Sequence, residues 1–345
     1  MEHTDADFRS DTVTQATAAM RTVMAEALVG DDVLDGDPTV QRLEQAAAEW
    51  LGKPGSLFVP SGTMANQVAL GAWTRPGDEI IVQRFAHVTT FEAGAAGYLH
   101  GLQSMTVGGE EGEMDPAQVQ SLVRPAFIHC PPTRLICLEQ THNYAGGRVM
   151  PLAVMQELAA VAKGADIPLH LDGARLANAV VASGVSAREY AALADSISLC
   201  FSKGLGAPVG SIIAGDLAFL DRARLVRKRL GGWMRQAGHL AAAALYALEN
   251  NLERLEQDHA LAKDLAGRLG ALQGFSADPA GVDTNIVMVQ VTHPDWDAPR
   301  LAEALGCEGV RVMPMGSQRL RFVTHLDVGL GDLERLESAA AKVLG

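Results

Sequence analysis

SISLCFSKGLGAPVGS, residues Ser196–Ser211, is a run of strand-like residues that stops at Ser202-Lys203 and passes into a turn carrying Gly204, Gly206 and Gly210. A short, nearly continuous apolar run bounded by turn residues reads as a strand buried on both faces, the kind found in parallel sheets covered by helices. Lys203 stands just past its carboxyl end, where open α/β sheets place their ligands. Following Ile197, Leu199, Cys200 and Phe201, its amine is expected inside the protein. Desolvation lowers an ammonium's pKa and frees the neutral amine, the form that condenses with an aldehyde. Alone, Lys203 could equally end a buried strand and do nothing more. Its surroundings decide.

Outward from this stretch the chain alternates. Ser56–Val59, Glu79–Gln83, Leu135–Glu139 and Ile167–Leu171 read as strands before Ser196–Phe201, and Gly210–Ala214 as another after it. Thr63–Trp73 and Pro151–Lys163 read as helices between them. Such alternation predicts a mostly parallel central sheet flanked by helices, an α/β fold. From about Asp216 the character changes: Leu217–Arg229 and Arg235–Gln273 are long helical patterns. Strand-like Asn285–Gln290, Val310–Met313 and Arg319–Val323 follow, with a closing helix at Leu330–Leu344. At 345 residues the chain exceeds one core. Residues 1–250 are expected to form an N-terminal arm and large domain, and residues 251–345 a small α+β domain.

Composition narrows the function. A net charge of −13 argues against nucleic acid and anionic membrane as partners. The basic segment Arg222–Arg235 is the exception and reads most simply as a solvated helix face. No run approaches the roughly 18 apolar residues of a spanning helix. The acidic opening MEHTDADFRSDT is unlike a signal peptide. Cys130, Cys137, Cys200 and Cys307 form no C-x-x-C pair and sit mostly in apolar runs, which suggests reduced, buried thiols and a cytoplasmic protein. No metal site is expected.

The strand in IPLHLDGAR (Ile167–Arg175) runs up to Asp172, and a carboxylate so placed needs a partner. Arg175 could supply it, or His170 and Asp172 could share a metal. With Lys203 nearby, a third reading is an acidic partner for a pyridinium nitrogen, the companion of a Schiff-base lysine in pyridoxal-phosphate enzymes. Ser61-Gly62-Thr63 lies between a strand and a helix, where backbone N–H groups can meet a phosphate, though it could also be an ordinary N-cap. His87 could stack on a flat ring or move protons. His129 carries little signal by itself. Ser10 sits in a polar opening, Arg9-Ser10-Asp11-Thr12, with no evident core face. Arg175 and Arg321 offer planar forks for a substrate carboxylate, and Lys228 and Arg235 could meet a phosphate at a subunit boundary.

These blocks together resemble one family. FRSDTVT (Phe8–Thr14), LFVPSGTMANQVAL (Leu57–Leu70), FEAGA (Phe91–Ala95), LHLDGARLANAV (Leu169–Val180), FSKGLGAPVGS (Phe201–Ser211), RKRLGGWMRQAG (Arg227–Gly238) and LRFVTHLDV (Leu320–Val328) are similar, in order, to the low-specificity L-threonine aldolases of the fold-type I pyridoxal-phosphate group. The resemblance implies retro-aldol cleavage of L-threonine or L-allo-threonine to glycine and acetaldehyde. It makes Lys203 the Schiff-base lysine and Asp172 the pyridinium partner, with Gly62 and Thr63 as phosphate ligands. His87 matches the histidine stacked on the cofactor, and His129 a second active-site histidine. Ser10, Arg175 and Arg321 match the residues gripping the α-carboxylate. Lys228 and Arg235 match a segment shared across subunits, which implies a homotetramer, a dimer of dimers. Leu34 replaces the family's usual tyrosine and Gln140 its usual asparagine. The base for the β-hydroxyl stays open between His87, His129 and a water. A β-eliminating lyase or transaminase, and a non-catalytic cofactor carrier, are the alternatives.

Overall fold

The computed structural model describes residues 5–345; the first four residues of the acidic opening lie outside them. In chain order the strands are β1 (Ala6–Asp7), β2 (Gly55–Val59), β3 (Glu79–Gln83), β4 (Gln103–Val107), β5 (Thr133–Glu139), β6 (Leu169–Gly173), β7 (Ser196–Cys200) and β8 (Ser211–Gly215). The C-terminal part adds β9 (Phe275–Ser276), β10 (Ile286–Val291), β11 (Val310–Arg311), β12 (Met313–Pro314) and β13 (Arg319–Val323).

The seven-stranded sheet has the order β2-β8-β7-β6-β5-β3-β4, and only β8 runs antiparallel to its neighbours. This is the mostly parallel α/β arrangement of the sequence reading. β3, β6, β7 and β8 are buried along their whole length because helices cover both faces. A four-stranded antiparallel sheet, β12-β13-β10-β9, organises the C-terminal part. β1 pairs in parallel with β11, and Ala6 and Phe8 join the apolar core of that part.

Local chemistry sets the element ends. The helix Pro38–Leu51 starts on an Asp37 cap with proline in its first turn and ends on Gly52, whose φ of 66° is a left-handed value glycine tolerates. β6 begins and ends two residues later than Ile167–Leu171 suggested, so Asp172 lies inside the strand. The pattern over Arg235–Gln273 is two helices, Gly238–Asn250 and Leu255–Ala271. The edge strand β4 escaped the reading because most of its residues are exposed. All four cysteines are free; Cys137 and Cys200 are buried, but Cys307 is exposed and Cys130 partly so. No helix among the described residues is long and apolar enough to cross a membrane.

The basic segment is not a uniformly solvated face. Arg227 is buried, donates to the Phe58 carbonyl at 2.7 Å and lies over the Trp233 ring. Glu44 stands 3.5 Å away and accepts from the Phe58 amide at 2.7 Å. Burial pushes the Glu44 carboxyl up to about 7 despite that amide and the guanidinium. The folded protein therefore holds a proton there that the unfolded chain releases, and this contribution to stability falls as pH rises from the ordinary carboxylate range towards 7. Glu44→Gln is expected to gain stability relative to wild type on raising the pH from 4.5 to 7.5, on the order of 2 kcal/mol in denaturant titrations. A constant difference across that range would refute the assignment.

Candidate active site

The helix Gly62–Trp73 begins directly beyond β2, capped by Ser61 Oγ, which accepts from Met64 N at 3.2 Å. Its first backbone N–H groups, on Gly62 and Thr63, precede any intrahelical partner and face the ligand end of the sheet with the positive end of the helix dipole. A Cβ at position 62 would stand 2.5 Å from Cys200 Sγ, so glycine lets this turn press against the end of β7. Gly62→Ala is expected to cost about 1–3 kcal/mol in thermal or chemical unfolding. An unchanged melting temperature would show that the turn has room to spare.

Asp172, near the end of β6, is buried and fully engaged. Its Oδ2 accepts from Asn66 Nδ2 at 2.7 Å and its Oδ1 from Ala174 N at 3.0 Å and Ser198 Oγ at 3.3 Å. Burial alone raises this carboxyl, but His87, Lys203, Asn66 and His170 outweigh it, and the group stays ionised. His170 is not a metal partner for it. Burial holds the His170 imidazole down at about 4, and the ring lies between Ser196 Oγ at 3.0 Å and Asn66 Oδ1 at 3.2 Å. Nor is Arg175 its counter-ion.

Arg175 instead forms a two-pronged pair with Asp11, at 2.8 and 2.7 Å, with both side chains buried. The polar opening segment thus does have an inward face. Burial pushes the Asp11 carboxyl up, yet Arg175, then Lys203 and Asn285, hold it well below the usual carboxylate range. Arg175 Nη1 and Arg321 Nη1 converge on one atom, Asn143 Oδ1, at 3.0 and 3.2 Å. Arg321 Nη2 donates to the Arg9 carbonyl at 3.0 Å, while its buried Nε has no partner. Burial, with Arg175 beside it, lowers the Arg321 guanidinium to about 10. Two arginines and an unused donor form a place for a small anion. Ser10 sits beside them, its Oγ accepting from Thr12 N.

Lys203 is half-buried rather than sealed in, and its charge acts on Asp11, Asp172, His87 and Cys200. His87 opens the short helix after β3; its backbone N–H donates to Glu139 Oε2 at 2.6 Å and its Nδ1 meets Glu92 Oε1 at 2.8 Å. Gly62, Thr63, His87, Asp172, Arg175, Lys203, Ser10 and Arg321 thus belong to strand ends and adjoining turns of one region. His129 does not join them within this chain: it lies on an exposed segment, its ring against Phe127. Arg235 is exposed and pairs with Asp31 at 2.9 Å; Lys228 is exposed over Trp233.

Sequence reasoning missed Asn66, Glu92, Glu139, Asn143 and the role of Asp11. Glu139 ties the site together, since its other oxygen accepts from Asn143 N at 2.8 Å. Gln140, at a position where asparagine was expected, brackets Met150 by accepting from its N–H and donating to its carbonyl, at 2.9 and 3.0 Å. Leu34 is three-quarters exposed.

A lysine, a buried carboxylate, a helix N-terminus and two arginines thus gather at the strand ends of one region. The family profile described as beta-eliminating lyase matches residues 7–293.

The chain belongs to the beta-eliminating lyase family.

Two curated relatives extend this nearly end to end. Low-specificity L-threonine aldolase 1 of Arabidopsis thaliana is 42% identical over 95% of this chain and 93% of its own. The low specificity L-threonine aldolase of Escherichia coli (strain K12) is 41% identical over 97% of both. Among solved structures, the threonine aldolase of Leishmania major superposes with a TM-score of 0.81 over 99% of this chain and all of that one, at 19% identity, a likeness of fold. As a member of the beta-eliminating lyase family, the chain is a lyase with the fold-type I architecture.

Proposed function

We propose that this lyase cleaves β-hydroxy-α-amino acids, L-threonine and L-allo-threonine foremost, into glycine and an aldehyde, using pyridoxal phosphate held at Lys203. The observation carrying this reading is the convergence of Arg175 and Arg321 on Asn143 Oδ1, with a buried Arg321 donor left over. A substrate α-carboxylate replaces the asparagine oxygen and also satisfies that donor. A protein that only stored the cofactor has no use for such a clamp.

The residues fit the cofactor. The Lys203 amine would hold its aldehyde, Asp172 its ring nitrogen, the Gly62 and Thr63 amides its phosphate, and His87 a face of its ring. When bound, the cofactor supplies an acceptor for the electron pair of a bond broken at Cα. The arginines, with Ser10, select that bond. Gripping the carboxylate would fix the amino acid's rotation about its N–Cα bond and so would choose which bond at Cα is broken. A base then takes the β-hydroxyl proton, the aldehyde leaves, and Cα is reprotonated.

His129, Lys228 and Arg235 complete the site, in this reading, from neighbouring subunits of a homotetramer, which accounts for their exposure in the single chain. Residues 1–250 serve as arm and cofactor domain and 251–345 as small domain, the boundary falling at the break between the helices at 251–254. Free cysteines support work in the cytoplasm.

Product analysis tests the reaction. Holoprotein given L-threonine, L-allo-threonine or L-phenylserine is expected to release glycine and the matching aldehyde in equal amounts. An oxo acid with ammonia points to elimination instead and overturns the proposal. Arg321→Lys keeps the charge but loses the fork, and is expected to raise KM for L-threonine about tenfold or more, with a smaller loss in kcat. An unchanged KM removes Arg321 from the clamp.

A further inference from the structure

The Glu92 side chain is fully enclosed, 0% exposed, and no arginine or lysine among the described residues is paired with it. Three donors surround it instead. Oε1 receives Asn66 Nδ2 at 2.8 Å and faces His87 Nδ1 at 2.8 Å, and Oε2 receives Gln67 Nε2 at 2.6 Å. The orientation of these amides follows from the network. Asn66 Nδ2 lies between two carboxylates, Glu92 and Asp172, so that end of the amide must be the donor. Its Oδ1 then accepts from His170 Nε2–H, whose Nδ1 accepts from Ser196, which in turn accepts from Trp73 Nε1 at 2.8 Å. Gln67 makes the same choice at a cost, since its buried Oε1 has no partner. An ionised carboxylate only accepts. Against an ionised Glu92, His87 Nδ1 carries the proton of this contact.

We propose that Glu92 is a positioning residue for His87: it holds the Nδ1 proton, so the neutral imidazole presents a bare Nε2 to the cleft, ready to accept the substrate's β-hydroxyl proton. This rests on the aldolase reading above. The logic is that of an aspartate orienting a catalytic histidine. In the step itself the O–H proton passes to Nε2 and the oxygen pair closes the carbonyl. The Cα–Cβ bond breaks with its pair left on Cα, and the His87 imidazolium gives its proton up when Cα is reprotonated.

The ring is held at three places. Its backbone N–H is fixed by Glu139, its Nδ1 by Glu92, and Phe91 leans on it with ring centroids 5.7 Å apart. The charges facing it are Glu92, Asp172 and Lys203. Burial and Lys203 disfavour the imidazolium, Glu92 and Asp172 favour it, and the balance leaves the His87 pKa raised. Asn66 gives one N–H to each carboxylate, so the group facing the cofactor nitrogen and the group setting His87 share one amide.

The test needs no turnover to begin. In wild-type protein with 15N-labelled histidine, His87, assigned by its loss in His87→Gln, is expected to show the Nδ1–H tautomer when neutral. An Nε2–H pattern overturns the proposal without any variant. Glu92→Gln is expected to lower the His87 titration midpoint by about one pKa unit, a tenfold fall in proton affinity. The acid limb of kcat/KM is expected to move to lower pH by the same amount. Glu92→Asp, which keeps the charge, restores most of both. If Glu92→Gln only lowers the melting temperature while His87 titrates as before in an active enzyme, the Glu92 assignment falls alone. If wild-type protein releases no glycine, the aldolase reading falls and takes the β-hydroxyl step with it.

Discussion

Lys203→Ala is expected to lose the visible absorption band of bound cofactor and to slow glycine release by about four orders of magnitude, the scale on which deleting a covalent catalytic group acts. The fold is expected to survive. The turn around Lys203 is held by backbone hydrogen bonds: Gly206 N to the Lys203 carbonyl at 2.8 Å, Ala207 N to Phe201 at 3.0 Å, and Phe201 N to Gly210 at 3.0 Å. None involves the amine, so truncating a half-buried side chain changes stability by about 1 kcal/mol or less. A melting curve close to wild type, together with lost colour and turnover, is the expected pair of results. Borohydride reduction followed by peptide mapping gives the same answer independently: the label belongs on the peptide containing Ser202–Gly204 in wild type and is absent from the variant. Retained band and retained turnover would falsify the assignment of this lysine.

Asp172→Asn is expected to reduce kcat about a thousandfold, or about 4 kcal/mol of barrier. Two effects act together. The negative charge that, in the proposed function, would keep the cofactor's ring nitrogen protonated disappears, which would weaken the ring as an electron acceptor. The new amide also faces Asn66 Nδ2. Whichever oxygen position receives the new NH2, it meets either Asn66 or the Ala174 N–H, both of them donors. If Asn66 turns to relieve this, its oxygen meets Glu92 and its nitrogen meets His170. Stability is therefore expected to fall as well, by about 1–3 kcal/mol. The two effects separate in Asp172→Glu, which keeps the charge and disturbs the geometry. It is expected to keep more activity than Asp172→Asn even if it is less stable. Equal loss in both variants would mean that shape, not charge, is what Asp172 supplies.

The sheet was legible because its strands are buried on both faces and therefore appear as unbroken apolar runs. Glu79–Gln83 was read to the residue, and β7, β8 and the C-terminal strands to within a few residues. β4, whose sequence QSMTV is mostly exposed at the sheet edge, carries no such signal. The break between the helices ending at Asn250 and starting at Leu255 was hidden because the residues there, Asn251-Leu-Glu-Arg254, include neither glycine nor proline. In the site, Lys203, Asp172 and Gly62 announced themselves by standing at the junctions of strands and turns. Asn66, Glu92, Glu139 and Asn143 did not, because a hydrogen-bond network joins residues far apart in sequence and has no period. Glu92 was in plain view inside FEAGA, and Asn66 inside SGTMANQ, but nothing local distinguishes a buried amide from an exposed one. Asp11 was read as part of a polar opening segment; only the fold brings it to Arg175, 164 positions away.

The first strand carries a lesson about assembly order. Ala6 and Asp7 take their places beside Val310 and Arg311, Val323 N donates to the Phe8 carbonyl, and Arg321 donates to the Arg9 carbonyl. A polypeptide leaving the ribosome therefore releases this segment long before β11 and β13, the strands that hold it, emerge. Until then Asp11 has no anchored neighbours on its N-terminal side, and the two arginines cannot share their common target. The arginine pair thus assembles only once β13 has been made, however early the central sheet is complete.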